Sequence, residues 1–229
     1  MQYGQFCPIA KANEILGEKW TILIVRELLM GASRFGELQR GLGLISPALL
    51  TSRLKALEEQ GLIVKRKAAG QKGFEYHATQ ACKDLMPVLV AMGEWGLCWA
   101  KHNLSDADYD AEFLMFYLER SIVPDAIPGG SAVIRFEFTD LAQQKNWWIV
   151  VAAGKADLCI KDPGKDVDVF LKTEVRTMAD MWMGDRSYKD AIKTGALEII
   201  GPPALTRNIS AWLQPSIFAD SPRESAALA

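Results

Sequence analysis

The apolar residues of this chain change period along its length, and the changes divide it. Up to about residue 102 they recur mainly at helical spacing. Ile9, Ala12 and Leu16 predict a short helix over 8–16. A longer helix over 20–30 is apolar around most of its circumference, which makes it central to its domain. Ser33 is placed to cap a third helix whose Phe35, Leu38 and Leu42 face inward, although Glu37, four residues on, does not complete a capping box from that position. Ser46 and Pro47 are an N-cap and a first helical residue. They open a helix over 46–60 in which Leu50, Leu54 and Leu57 form the buried stripe, and Gly61 stops it. Strand-like segments at 62–67 and 74–78 follow, joined by a basic, glycine-containing turn over 68–73. From Thr79 a helical stretch runs to about 102, divided or kinked by Pro87. It carries two apolar stripes, Leu85, Leu89, Met92 and Trp99 on one and Val88 and Trp95 on its neighbour. One stripe can pack on its own domain. The other calls for a partner helix, hence a dimer, or for cover by the second half of the chain.

The second half has a different pattern. The acidic, polar segment 104–110 reads as a linker, and Phe113 to Leu118 belong to a helix of about ten residues. Alternation then takes over around Ile134, Phe136 and Phe138, in the run 147–151, at Leu158 and Ile160, and at Val167, Val169 and Leu171. Four strands joined by short turns predict an antiparallel meander. Helices are expected around 175–182 and 188–192, a fifth strand at 196–200, and a closing helix through Leu205, Ile209, Trp212 and Leu213. Strands grouped first and helices after define an α+β domain. The tail after Pro215 is expected to be poorly ordered.

Charge sharpens the division. The net charge of −2 hides 13 Lys+Arg against 9 Asp+Glu in residues 1–103, and 13 against 19 beyond them. A net +4 half and a net −6 half suggest modules with different partners. No basic leader precedes an apolar run, and no stretch reaches eighteen apolar residues, so neither a signal peptide nor a membrane span is expected. Cys7, Cys82, Cys98 and Cys159 form no CxxC pair and read as reduced thiols of a cytoplasmic protein without a metal site. His77 and His102 have no nucleophile beside them, and no phosphate-binding glycine loop is present, so no catalytic group and no cofactor are expected.

The helix over 46–60 offers Ala48, Thr51, Ser52 and Lys55 opposite its leucines, with Arg53 at the flank. Small side chains permit close approach to a major groove and basic ones reach phosphate or guanine. An ordinary amphipathic helix with a solvated face has the same pattern. The hairpin that follows favours DNA: Arg66, Lys67 and Lys72 can lie along a phosphate backbone beside the helix. Ser46, Pro47 and Arg34 complete the candidate DNA-binding set.

Residues 7–97 resemble the HxlR family of bacterial winged-helix transcription regulators. The matching motifs are Cys7-Pro8-Ile9, Leu16-Gly17-Glu18-Lys19-Trp20, Arg26-Glu27-Leu28, Arg34-Phe35-Gly36-Glu37-Leu38, Ile45-Ser46 with Leu49-Leu50-Thr51 and Leu54, Leu57-Glu58 with Gly61-Leu62, Glu75-Tyr76 and Glu94-Trp95-Gly96. The resemblance implies a homodimer that binds double-stranded operator DNA, with a recognition helix at 46–60 and a wing at 63–78. The family commonly carries longer polar residues where this chain has Pro47 and Ala48, and a basic residue near Gly73. Base readout is therefore expected from Thr51, Ser52, Arg53 and Lys55. Several members of the family sense oxidants through a cysteine at the Cys-Pro position. Cys7 is accordingly a candidate redox thiol, with Lys11 and Lys19 as cations that could favour its thiolate. It also reads as a small buried residue that packs the first helix at the dimer seam, the reading favoured while a whole second domain is available for sensing.

Residues 111–214 resemble the sterol carrier protein, type two, fold, through 156–160, Asp168-Val169, 173–184 and especially 191–201. That resemblance implies a sheet covered by helices over an apolar cavity for lipids or other hydrophobic molecules. Trp147, Phe170, Met178, Met181 and Trp182 are the candidate pocket residues; each also reads as ordinary core.

The expectation is a winged-helix domain at 1–103, a linker at 104–110, a ligand-binding domain at 111–214 and a tail at 215–229. The function expected is a dimeric, non-enzymatic regulator that answers to a small hydrophobic or aromatic effector. A hydrophobic-ligand carrier and a thiol-based regulator using Cys7 are the alternatives.

Overall fold

Leucine and isoleucine at helical spacing build the first half around one seam. The computed structural model describes residues 2–68 and 72–223. It opens with α1 (Pro8–Leu16), α2 (Thr21–Leu29), α3 (Phe35–Leu42) and α4 (Pro47–Glu59). A hairpin of β1 (Ile63–Lys67) and β2 (Phe74–Ala78) follows, and then α5 (Gln80–Lys83) and α6 (Met86–Trp99). Ile24, Val25, Leu38, Leu50, Leu54, Leu57 and Ile63 are all no more than 2% exposed. Burying each such side chain is worth about 1.5–3 kcal/mol, so the leucine stripe of α4 holds that helix on the domain.

Local chemistry sets the ends of α4. Ser46 Oγ accepts from the Leu49 N–H at 3.3 Å, and Pro47 takes the first helical position. At the other end Gly61 turns left-handed (φ 72°), and the Leu62 N–H reaches back to the Leu57 carbonyl at 2.9 Å. The cap of α3 differs from expectation. Arg34, not Ser33, is the N-cap residue, and Glu37 Oε2 accepts from the N–H groups of both Ser33 (2.9 Å) and Arg34 (3.0 Å). The spacing that disqualified Ser33 is correct for Arg34 because the helix begins one residue later.

Pro87 sits in the first turn of α6, where its missing N–H is no loss, and the helical stretch divides before it into α5 and α6. Leu85 and Leu89 pack on the domain core. Val88, Met92, Trp95 and Trp99 remain 45–62% exposed.

The described residues fall into two units divided between Gly93 and Glu94, with α6 crossing the division. Short 3₁₀ turns at Lys101–Asn103 and Asp106–Asp108 follow α6. Both the N–H and the hydroxyl of Ser105 donate to Asp108 Oδ2 at 2.8 Å within the second turn.

The second unit contains α7 (Ala111–Ser121), β3 (Ala132–Phe138), β4 (Asn146–Ala152), β5 (Lys155–Cys159), β6 (Val169–Thr173), α8 (Val175–Met183), α9 (Tyr188–Lys193), β7 (Leu197–Ile200), α10 (Pro203–Thr206) and α11 (Ile209–Trp212). It is α+β with a mostly antiparallel sheet, in the order β5-β4-β3-β6-β7. The meander ends at β5. Residues 160–168 return the chain to the far side of β3, where β6 pairs parallel to it, Ile134 opposite Val169. Asp168 fixes this register: its N–H donates to the Val133 carbonyl at 2.9 Å and its Oδ2 accepts from the Val133 N–H at 2.8 Å.

Phe136, Phe138, Met115, Leu118, Leu171, Met178 and Leu213 form the core on one face of the sheet. The closing helix is two single turns, α10 and α11, tied together by the Trp212 indole N–H donating to the Leu205 carbonyl at 2.9 Å. The tail is structured as far as it is described. The Ser216 N–H donates to the Trp182 carbonyl at 2.8 Å, and the Arg223 guanidinium holds Asp185 Oδ1 (2.9 Å) and the carbonyls of Phe218 (2.9 Å) and Met183. One arginine binding several loop carbonyls orders a segment with little apolar periodicity. Residues 224–229 lie outside the described part of the chain.

Candidate nucleic-acid interface

The outward side of α4 is small and polar. Pro47, Ala48, Thr51, Ser52 and Lys55 are exposed, opposite buried Leu50, Leu54 and Leu57. Thr51 spends its proton on the Pro47 carbonyl at 2.8 Å, which leaves its oxygen as an acceptor. Lys55 Nζ lies 3.6 Å from Glu59 Oε1, with side chains 77% and 62% exposed. So exposed a pair is easily exchanged for another anion.

Arg53 does not join this face. Its Nη2 lies 2.7 Å from Glu18 Oε2 and its Nε donates to the Lys19 carbonyl at 3.1 Å, at the corner between α1 and α2. The side chain is 20% exposed.

Arg34 is also engaged. Its Nη2 lies 3.0 Å from Glu75 Oε1, while the Ser33 carbonyl accepts from the Tyr76 N–H at 2.7 Å. These contacts fasten the start of α3 to the hairpin like a short third strand.

The hairpin is in register from Ile63 opposite Ala78 to Lys67 opposite Phe74, and the Ala68 N–H closes on the Gly73 carbonyl at 3.2 Å. Residues 69–71 of the turn lie outside the described part of the chain. Lys65 stacks on Phe74, 4.2 Å from the ring centroid. Arg66, Lys67 and Lys72 are exposed. Among the described residues, Arg66 and Lys67 lie in no ion pair.

Glu18 and Glu75 are the residues that inspection of the cations misses. Each anchors an arginine far away in sequence; both stand in the motifs quoted above, but no local pattern pairs either with its arginine.

In the second unit, Trp147 (4% exposed), Met178 (0%) and Met181 (3%) share one buried cluster, with Trp182 packed against it. Phe170 is on the opposite face of the sheet, its ring centroid 4.9 Å from the Arg135 guanidinium, because it alternates with inward Val169 and Leu171. The Trp182 indole N–H donates to Ser121 Oγ at 2.9 Å. The Trp147 indole N–H is buried with no acceptor among the described residues.

Cys7 is the half-buried N-cap residue of α1. The cations expected beside it are occupied: Lys11 Nζ pairs with Glu14 at 3.0 Å, and Lys19 Nζ stands 5.6 Å from the Trp20 ring centroid. Cys82 is wholly buried, and burial pushes its thiol pKa up.

This arrangement defines a winged helix-turn-helix unit followed by an α+β unit. The model of the HxlR-like helix-turn-helix family matches residues 15–104, and that of the SCP-2 sterol transfer family matches residues 117–214. The HTH-type transcriptional regulator YvaP of Bacillus subtilis, named as uncharacterized, is 36% identical over 109 residues, which cover 46% of this chain and all of YvaP. The chain therefore belongs to the HxlR-like helix-turn-helix family, with a sterol-carrier-like second unit. An uncharacterized HTH-type transcriptional regulator of Mycobacterium tuberculosis is 40% identical over 89 residues, 38% of this chain and 56% of that protein. The chain thus spans little more than half the length of its mycobacterial relatives. The reduced form of the transcriptional regulator YodB from B. subtilis is 27% identical over 43% of this chain and 98% of its own, with a TM-score of 0.37. Among the described residues, no helix is long and apolar enough to cross a membrane.

Proposed function

We propose that this protein is a dimeric, ligand-responsive bacterial transcription regulator of the cytoplasm. Residues 1–103 bind a two-fold symmetric operator and dimerise, and residues 111–214 hold a small hydrophobic effector. The observation that carries the DNA reading is the small, polar, exposed face of α4 beside the exposed cations Arg66, Lys67 and Lys72 of the wing. The helix approaches the groove and the wing holds phosphate. Pro47 and Ala48 offer no long polar group, so the start of α4 contributes fit and position, and Thr51, Ser52 and Lys55 supply polar contacts.

The exposed row Val88, Met92, Trp95 and Trp99 along α6 supports a homodimer, since pairing two such helices removes a continuous apolar surface from water. The effector reading is supported by the sterol-carrier-like match over residues 117–214 and by the unpaired indole N–H of Trp147 within an apolar core. Regulation requires the effector to favour one arrangement of the paired recognition helices over another, because occupancy without differential affinity shifts nothing.

A gel shift with a duplex from the promoter upstream of its own gene, together with native mass spectrometry of the purified protein, tests this reading. The expected results are a retarded complex that weakens steeply with salt, and a dimer that retains a hydrophobic ligand. A ligand-bearing protein that leaves the duplex unshifted at low salt is instead a carrier.

A further inference from the structure

We propose that Arg53, although carried on the recognition helix, is a positioning residue that fixes α4 against the α1–α2 corner and makes no contact with DNA. The inference rests on the DNA-binding reading of α4 and specifies how that helix is held.

Two hydrogen bonds define the strut. Arg53 Nη2 meets Glu18 Oε2 at 2.7 Å, and Nε meets the Lys19 carbonyl at 3.1 Å. A guanidinium can satisfy a carboxylate and a carbonyl together because its donors form a rigid planar fork; an ammonium cannot hold that geometry.

The Lys19 carbonyl belongs to the peptide that enters Trp20, so its orientation sets the φ of Trp20. That angle is 78°, in the left-handed region. A bulky residue stays there only when its surroundings hold it. Arg53 grips the peptide concerned, and the Ile24 N–H bonds the Trp20 carbonyl at 2.9 Å as α2 begins.

Apolar packing and the polar contact divide the work of placing α4. The strut itself lines an open pocket of about 200 Å³, bordered also by Ile15 and Thr21 on one side and Ala56 and Leu57 on the other. Side chains facing a gap forgo dispersion contact across it. Leu54 and Leu57 share a core with Leu16 and Trp20, which seats α4 on the domain; across the pocket the link is the Arg53 bridge, which sets the fine placement of α4 relative to the corner. Lys55, two residues on, shows the contrast: it is 77% exposed and pairs with Glu59 of its own helix.

The test uses the full-length variants Glu18→Gln, Arg53→Gln, Arg53→Lys and the Glu18→Gln/Arg53→Gln double variant. Affinity for the promoter duplex is read by fluorescence anisotropy over a range of salt, and amide hydrogen exchange is read at residues 20–24. If Arg53 is a strut, Glu18→Gln and Arg53→Gln each weaken binding by roughly three- to tenfold, and the double variant is no worse than either, as expected for coupled residues. Arg53→Lys behaves like Arg53→Gln, the salt slope stays that of the wild type, and exchange at 20–24 rises in every variant. The proposal is overturned if Glu18→Gln binds as well as the wild type while Arg53→Gln loses affinity with a salt slope smaller by about 1, the signature of a phosphate contact. It is equally overturned if exchange at 20–24 is unchanged. A wild-type protein that fails to bind the duplex removes the regulator reading instead, and the exchange measurement still decides whether Arg53 holds the corner.

Discussion

Arg34 and Glu75 are 41 residues apart in the chain, yet Arg34 Nη2 and Glu75 Oε1 meet at 3.0 Å and join the cap of α3 to the second strand of the wing. The pair is only half-buried, so its direct contribution to stability is small, about 0–1 kcal/mol. Its value is geometric, since it fixes the angle at which the hairpin leaves the domain. We expect Glu75→Gln to weaken promoter binding by about two- to fivefold, although it removes a negative charge from the proposed DNA-binding surface. Anisotropy titration distinguishes the two effects. Tighter binding by the variant would mean that charge outweighs placement of the wing.

Arg66 and Lys67 are exposed on β1. The proposed function makes them phosphate contacts, which carry no base information. Arg66→Ala and Lys67→Ala should each lower affinity for specific and unrelated duplexes alike, and each should reduce the salt slope by about 1. A variant that loses affinity only for the specific duplex would assign that residue to base readout.

The unpaired indole N–H of Trp147 predicts an unusual stability result. A buried donor without an acceptor costs about 1–3 kcal/mol. Trp147→Phe relieves that cost while losing some packing, and is expected to leave the unfolding free energy within about 1 kcal/mol of the wild type. If the N–H meets an oxygen of the effector, the same variant binds a long-chain fatty acid about five- to tenfold more weakly, by calorimetric titration. A loss on unfolding clearly beyond about 1 kcal/mol would show Trp147 to be ordinary core.

Asp180 on α8 has its carboxyl pKa raised, first by burial and then by the charge of Asp185; Arg176, Lys101 and Arg186 oppose the shift. A carboxyl whose folded pKa exceeds its unfolded one binds protons more tightly when folded. Stability therefore falls as pH rises from the unfolded to the folded pKa, and stays lower above it. Asp180→Asn has no such penalty. It should unfold at a higher temperature than the wild type at pH 7, with the difference shrinking as pH falls through the folded pKa. Calorimetric scans at pH 7 and pH 4 read this directly.

Helix α4 and the β1–β2 hairpin are legible in sequence because their signals are local. Ser46, Pro47, the leucines at 50, 54 and 57, and Gly61 all act within a turn or two of the residues they organise. The strands of the second unit are legible for the same reason, but their neighbours are not. Alternation identifies β6 as a strand without saying that it pairs parallel to β3 instead of extending the meander. Phe170 shows the same limit. Val169, Phe170 and Leu171 are all apolar, so the side chain that faces away from the core emerges only once the strand is placed.

What the sequence determined by itself is the order of elements, the division into a basic and an acidic half, and the exposed polar side of α4. All of these follow from spacing and composition over short stretches. Tertiary structure decided which charges remain available. Arg53 and Arg34 have the composition of DNA contacts, but Glu18, 35 residues from Arg53, and Glu75, 41 residues from Arg34, take up their guanidinium groups. An ion pair depends on separation in space, which the fold sets and the interval along the chain does not. Lys55, Arg66 and Lys67 stay exposed, and among the described residues no anion from elsewhere in the domain pairs with them.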